Sequence, residues 1–171
     1  MLDTIRLRRS IRKFLPQPVE KEKLNEILKA AMFAPSANHT QAWEFILIED
    51  KKMIQKLADM KIHSQFAETA SAIIVICSEE FRYWIQDASI VVAHVYLEAT
   101  NQGLGTCCIE VFDSKTYDNT DAEEYIREAL SIPKEIRILA MMPVGYPDPK
   151  LQPSAHTDSE FKTEKIHNEK W

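Results

Sequence analysis

Between Trp84 and Gln102 the chain reads W-I-Q-D-A-S-I-V-V-A-H-V-Y-L-E-A-T-N-Q, a helical stretch with no clear polar face. A helix on the surface of a globular protein shows a single apolar stripe, but here Ile90, Val91, Val92, Val95, Tyr96 and Leu97 are spread around the axis. The spacing therefore predicts a helix buried all round. In a chain of 171 residues that leaves two places for it, the centre of the fold or an interface between subunits.

The remaining segments supply what such a helix would pack against. Asp3 to Arg9 reads as a short helix with Asp3 or Thr4 as its cap, and Pro16 and Pro18 force an extended connection after it. Leu24, Ile27, Leu28 and Ala31 follow i, i+3, i+4, i+7 and define an amphipathic helix from Glu20 to Ala34, stopped by Pro35. A polar loop, P-S-A-N-H-T-Q, leads into a strand at Trp43 to Glu49. Asp50 caps a helix to Met60, and A-S-A-I-I-V-I-C at residues 70 to 77 is a core strand. After Gly103, Thr106 to Phe112 reads as one strand, Asp121 to Leu130 as a helix and Ile136 to Val144 as the last strand. The tail from Asp148 to Trp171 is polar and weakly patterned, which suits a segment that wraps a partner subunit. With 45% hydrophobic residues, residues 1–171 suffice for a single domain with one core.

Charge and composition narrow the function classes. A net charge of -5 argues against a general surface for nucleic acid or an anionic membrane. No apolar run reaches the roughly 18 residues of a membrane span, and the basic start continues to Lys13 without the apolar segment of a secretory signal, so a cytoplasmic protein is expected. Cys77, Cys107 and Cys108 lack C-x-x-C spacing. The vicinal pair fits a strand, as buried inert thiols or as a redox pair. The five histidines form no H-x-x-x-H pair, and no metal site is predicted; His94 reads as a hydrogen-bonded core histidine. Trp43, Trp84 and Trp171 read as packing anchors or as stacking surfaces.

Against the acidic whole, the first thirteen residues carry five cations and one acid. They form either a solvated charge run or an anion site. Arg8, Ser10 and Arg12 are spaced by two, so an extended backbone projects them from one face, where guanidinium forks and a hydroxyl suit phosphate oxygens. Only Gly103, Gly105 and Gly145 are present, so no glycine-rich phosphate loop can be built, and side chains would have to hold any phosphate.

Three pieces stand in order: R-R-S-I-R-K-F at 8 to 14, A-P-S-A-N-H-T-Q-A-W at 34 to 43 and G-L-G-T-C-C-I-E-V-F-D at 103 to 113, followed by V-G-Y-P at 144 to 147. As a set they resemble the nitroreductase family of FMN-dependent flavoproteins, over nearly the whole chain. The resemblance implies an α+β fold with a central mixed β-sheet flanked by helices, and a homodimer with two interfacial FMN sites. It places Arg8, Arg9 and Ser10 on the FMN phosphate and ribityl oxygens, and Arg12 at the pyrimidine edge, where a cation stabilises the reduced ring. Pro35, Ser36 and Ala37 match the loop reaching the flavin from the other subunit, with Asn38 and Gln41 as polar contacts; P-S-A-N is otherwise an ordinary turn ending a helix. His39 stands as a proton donor or as an exposed loop histidine. Ile109, Glu110 and Val111 match the segment whose backbone faces flavin N5, with Val111 where many relatives carry glycine. Lys165 matches a tail cation at the phosphate better than Lys162. The implied activity is hydride transfer from NADH or NADPH through FMN to a small flat acceptor, a nitroaromatic or quinone, in a ping-pong cycle. FMN storage, redox sensing, enoate reduction and dehalogenation are the alternatives.

Overall fold

A computed structural model describes residues 1–171. Strand β2 (Ala72–Glu79) is buried through seven consecutive positions, the first six of them apolar, as a strand covered on both faces must be. It pairs antiparallel with β1 (Trp43–Ile48) on one side and β5 (Ile136–Gly145) on the other, and β5 carries the short strands β3 (Gly105–Thr106) and β4 (Ile109–Glu110) beyond it. These pairings are all antiparallel. A parallel bridge from Ser10 to Thr106 makes the sheet mixed at its rim.

Alternation along β2 separates two cores. Ala72, Ile74 and Ile76 join Leu24, Ile27 and Ala31 of α2 (Lys21–Met32) and Val91, Val95 and Ala99 of α4 (Trp84–Asn101). Ile73, Val75 and Cys77 face α3 (Lys51–Ala58) and α5 (Ala122–Leu130) on the other side. The result is three layers, helix, sheet, helix. Asp50 and Asp121 cap α3 and α5 as their sequences suggest, each accepting backbone N–H bonds in the first turn. The first helix, α1 (Asp3–Leu7), is shorter than expected, and Leu2 takes the cap position without a side-chain bond, so neither Asp3 nor Thr4 serves.

Two departures from the expected strands matter. Thr106 to Phe112 is not one strand but β3 and β4 around a gap at Cys107 and Cys108. The register is continuous across the gap, Gly105 facing Gly145 and Ile109 facing Met141, which sets Cys107 opposite Pro143. Proline has no amide hydrogen to donate, and the Cys108 N–H turns away to the Tyr96 hydroxyl at 2.7 Å. The second departure is a bulge: Ile76 faces Ala140 but Cys77 faces Ile138, leaving Leu139 unpaired with β2. Its carbonyl accepts instead from Val111 at 3.0 Å and Phe112 at 3.1 Å.

Helix α4 is buried on one side only. Trp84, Ala88, Val91, Val95 and Ala99 face the sheet, whereas Ile85 and Ile90 remain 38% and 36% exposed. Nothing in the chain covers that second face, so the all-round burial expected of it is not met within one subunit. At the start of α4, Arg137 lies over the rings of Trp84 and Phe112 and pairs with buried Glu123, which also accepts from Arg127 and the Ile138 amide.

The N-terminal segment docks on the sheet through two glycines. A Cβ at Gly105 would lie 2.7 Å from Ile11, and one at Gly145 would lie 3.0 Å from Phe14. Both positions must be bare for residues 10 to 14 to lie against β3 and β5.

Candidate functional site

That docking sets the arginines. Arg8 places its guanidinium 5.1 Å from the Tyr96 ring centre, and Ser10 Oγ is 3.3 Å from the Tyr96 hydroxyl. The same hydroxyl accepts the Cys108 N–H, so its single proton is free for Ser10. Burial pushes the Tyr96 pKa up, keeping the group neutral. Tyr96 thus joins the first and third sequence motifs. Beside Ser10, the Thr106 hydroxyl is buried with no hydrogen-bond partner.

Arg12 stands apart from Arg8 and Arg9. It lines an open cleft of about 830 Å³ with Lys61, His63, Phe66 and the stretch from Cys107 to Glu110. The structure therefore brings Arg12, Ile109 and Glu110 to one wall, as their motifs suggest. Lys61 donates from Nζ to the Glu110 carbonyl and to Ser114 Oγ, both at 2.6 Å, and partial burial lowers its pKa. Val111 behaves differently: its side chain is fully buried in the α3 and α5 core, and its amide is engaged by Leu139. It neither narrows the cleft nor offers a free N–H to it.

The loop from Pro35 to Gln41 lies at the other end of α4. Asp87, buried near the start of α4, accepts the Ala37 N–H with both carboxylate oxygens, at 3.2 and 3.0 Å. Ser36 Oγ accepts from the Gln41 amide. Asn38, His39 and Gln41 all have positive φ, at 53°, 58° and 48°. His39 is exposed and makes no side-chain hydrogen bond. From Asp87 to Tyr96 the helix rises about 14 Å, so this loop and the arginines do not meet within one chain.

The tail supplies a residue that the motifs did not mark. His156 lies over the arginines, Nε2 at 3.3 Å from Arg8 Nη2 and Nδ1 at 3.1 Å from Arg9 Nη1. Lys165, the expected tail cation, is exposed and its side chain has no partner in the chain. His94 does bond as expected, Nδ1 meeting the Ala30 carbonyl at 2.8 Å. No group of three or more metal-ligating side chains is present, and no helix is long and apolar enough to cross a membrane.

The three-layer α+β fold, with arginines at one rim of its sheet beside an open cleft, is one that comparisons with known proteins place among oxidoreductases. The chain belongs to the nitroreductase family, whose model matches residues 5–80 and 60–146. It is similar to a solved FMN-dependent nitroreductase from Clostridium difficile R20291, with 36% identity, a TM-score of 0.94 and all of both chains covered. A solved candidate NADH oxidase from Clostridium acetobutylicum is 31% identical with a TM-score of 0.90, over 99% of this chain and 100% of that one. A candidate NADH dehydrogenase/NAD(P)H nitroreductase from Archaeoglobus fulgidus is 33% identical over 99% of this chain and 98% of its own.

Proposed function

We propose that this protein is a homodimeric oxidoreductase that holds FMN, accepts hydride from NADH or NADPH and delivers it to a small flat acceptor such as a nitroaromatic or quinone. The observation that carries this reading is the donor surplus at the N-terminal segment. Arg8 has no carboxylate partner, Arg9 has only Glu160 at 3.9 Å, and the hydroxyl of Thr106, which bridges to Ser10, is buried unpaired. Such a set suits a phosphate, which offers acceptors in several directions. The names of the similar proteins, which include FMN, NADH and NAD(P)H, support the same cofactor and donor.

In this reading Arg8, Arg9 and Ser10 hold the phosphate and ribityl oxygens, with Tyr96 orienting Arg8 and Ser10. Arg12 presents a fixed positive charge to the cleft, where it stabilises negative charge on a reduced ring. Ile109 and Glu110 form the wall beside it, fixed by Lys61. FMN, when bound, supplies the hydride acceptance and release at N5. Pro35, Ser36, Ala37, Asn38 and Gln41, with His39 at the rim, come from the second subunit, since their own arginines are out of reach. Docking of two α4 faces would bring the two halves together.

The test is the absorbance spectrum of purified protein with its chromophore extracted, followed by rapid mixing with NADH or NADPH. A yellow protein that yields FMN and bleaches with the nicotinamide is expected. A colourless protein that takes up no FMN sinks the reading, and a flavin that stays yellow leaves a storage protein.

A further inference from the structure

The C-terminal tail carries its own anion to the arginines. Thr157 to Glu160 forms a single turn closed by a capping box, the Thr157 N–H reaching Glu160 Oε1 at 3.1 Å. This turn aims the carboxylate at the cations: Oε2 is 2.6 Å from His156 Nδ1 and Oε1 is 3.9 Å from Arg9 Nη1. The His156 amide is anchored on the Arg6 carbonyl at 2.9 Å, and Asp158 pairs with Arg6 at 2.9 Å. In one neutral tautomer Nδ1–H is donated to Glu160 and Nε2 accepts from Arg8, which leaves the Arg9 Nη1 donor beside Nδ1 without an acceptor on the ring. Two guanidinium groups and an imidazole therefore converge, and Glu160 is the anion among them. Its hydrogen bonds from His156 and from Thr157 hold its pKa below the ordinary carboxylate value.

This is an ion pair of a replaceable kind. The Glu160 side chain is 51% exposed and touches Arg9 only at long range, so its hold is weak beside that of a phosphate with three acceptor oxygens. We propose that Glu160 is an internal stand-in for phosphate, displaced when a phosphomonoester enters, and that His156 then serves as the tail's ligand to that phosphate beside Arg8 and Arg9. The inference rests on the FMN reading above. On displacement the Thr157 N–H is released to water and the His156 Nδ1–H passes from carboxylate to phosphate oxygen. The carboxylate thereby keeps the imidazole and Arg9 in place in the free chain, and it competes with the cofactor.

Flavin-free full-length protein, Glu160→Gln and His156→Ala are titrated with FMN and with riboflavin, which lacks the phosphate, and followed by flavin fluorescence. Gln keeps the Thr157 bond and removes the charge, so E160Q is expected to bind FMN about fivefold more tightly while its riboflavin affinity stays the same. H156A is expected to bind FMN about tenfold more weakly, again with riboflavin unchanged. An FMN-to-riboflavin ratio that is the same in all three proteins, or lower in E160Q than in wild type, overturns the inference. If the wild type binds neither flavin, the proposed function falls and the clamp is read with inorganic phosphate by 31P NMR. Tighter phosphate binding by E160Q then supports the stand-in, and equal binding by all three overturns it.

Discussion

Tyr96 shows how one side chain can settle the geometry of a site. Its hydroxyl meets the Ser10 hydroxyl and accepts the Cys108 N–H, so the arginine segment and the broken strand are held in fixed relation. Arg8 lies on its ring while Arg6 is spent on Asp158. Arg8→Ala is therefore expected to weaken FMN binding by about tenfold or more, and Arg6→Ala by much less, as read by fluorescence titration. Equal losses would mean that the clamp lies elsewhere. The cysteines are a second case. Burial pushes the Cys108 thiol up to about 11 and Cys77 up to about 12. The thiolate is the reactive form, so at pH 8 Cys108 should be alkylated about a hundredfold more slowly in the native protein than in urea, accelerating as the pH rises toward 11. Native labelling as fast as unfolded labelling would refute this. Such residue roles were only partly legible beforehand. Arg8 and Arg12 announce themselves by charge, although the spacing by two does not keep them together and Arg12 enters a separate cleft, and Tyr96 and Asp87 look like an aromatic and a stray acid in α4 until the fold shows what they hold.

At the scale of elements, the N-terminal segment depends on backbone clearance. Gly105→Ala would drive a methyl into Ile11, and a loss of about 1–3 kcal/mol is expected in urea unfolding, with weakened FMN binding because Ser10 and Arg12 move with Ile11. Gly103, at φ 72° with open space around it, provides the control. Its alanine variant should lose about 1 kcal/mol of stability while retaining FMN affinity. If both variants retain FMN equally, the segment is not positioned by this contact. Helices α2, α3 and α5 were legible because their apolar periods and caps are local properties. The break between β3 and β4 was harder, since Thr106 to Phe112 has ordinary strand composition. Its cause, Pro143, lies in another strand and acts only once the register is known. The turn at Thr157 to Glu160 did have a local signature, T-x-x-E directly after a histidine, but short capping boxes in polar tails say nothing of what they lie against.

For the whole molecule, the exposed apolar surface carries the argument. Leu2 before α1, Ile5 and Leu7 within it, Phe33 after α2, and Ile85 and Ile90 of α4 are all open, as are Phe161, Ile166 and Trp171 in the tail. In the proposed dimer a second copy covers part of this surface and supplies Pro35 to Gln41 to the arginines of its partner. Ile90→Asp is therefore expected to shift the protein from dimer to monomer in sedimentation equilibrium and to abolish FMN retention with it. A monomeric variant that still holds FMN would show the site to be complete in one chain. The apolar pattern of α4 predicted burial all round; within one chain a helix with two apolar sides and one sheet to lie on has a side left over. The interrupted rim of the sheet has one more consequence. A long unbroken outer strand is a template on which other chains can add, strand by strand, into aggregates. With β3 and β4 cut to two residues each and Ser10 bridged to Thr106, that rim offers a stray strand almost nothing to zip onto, and the missing amide of Pro143 leaves β1 as the one edge of the sheet long enough to template another chain.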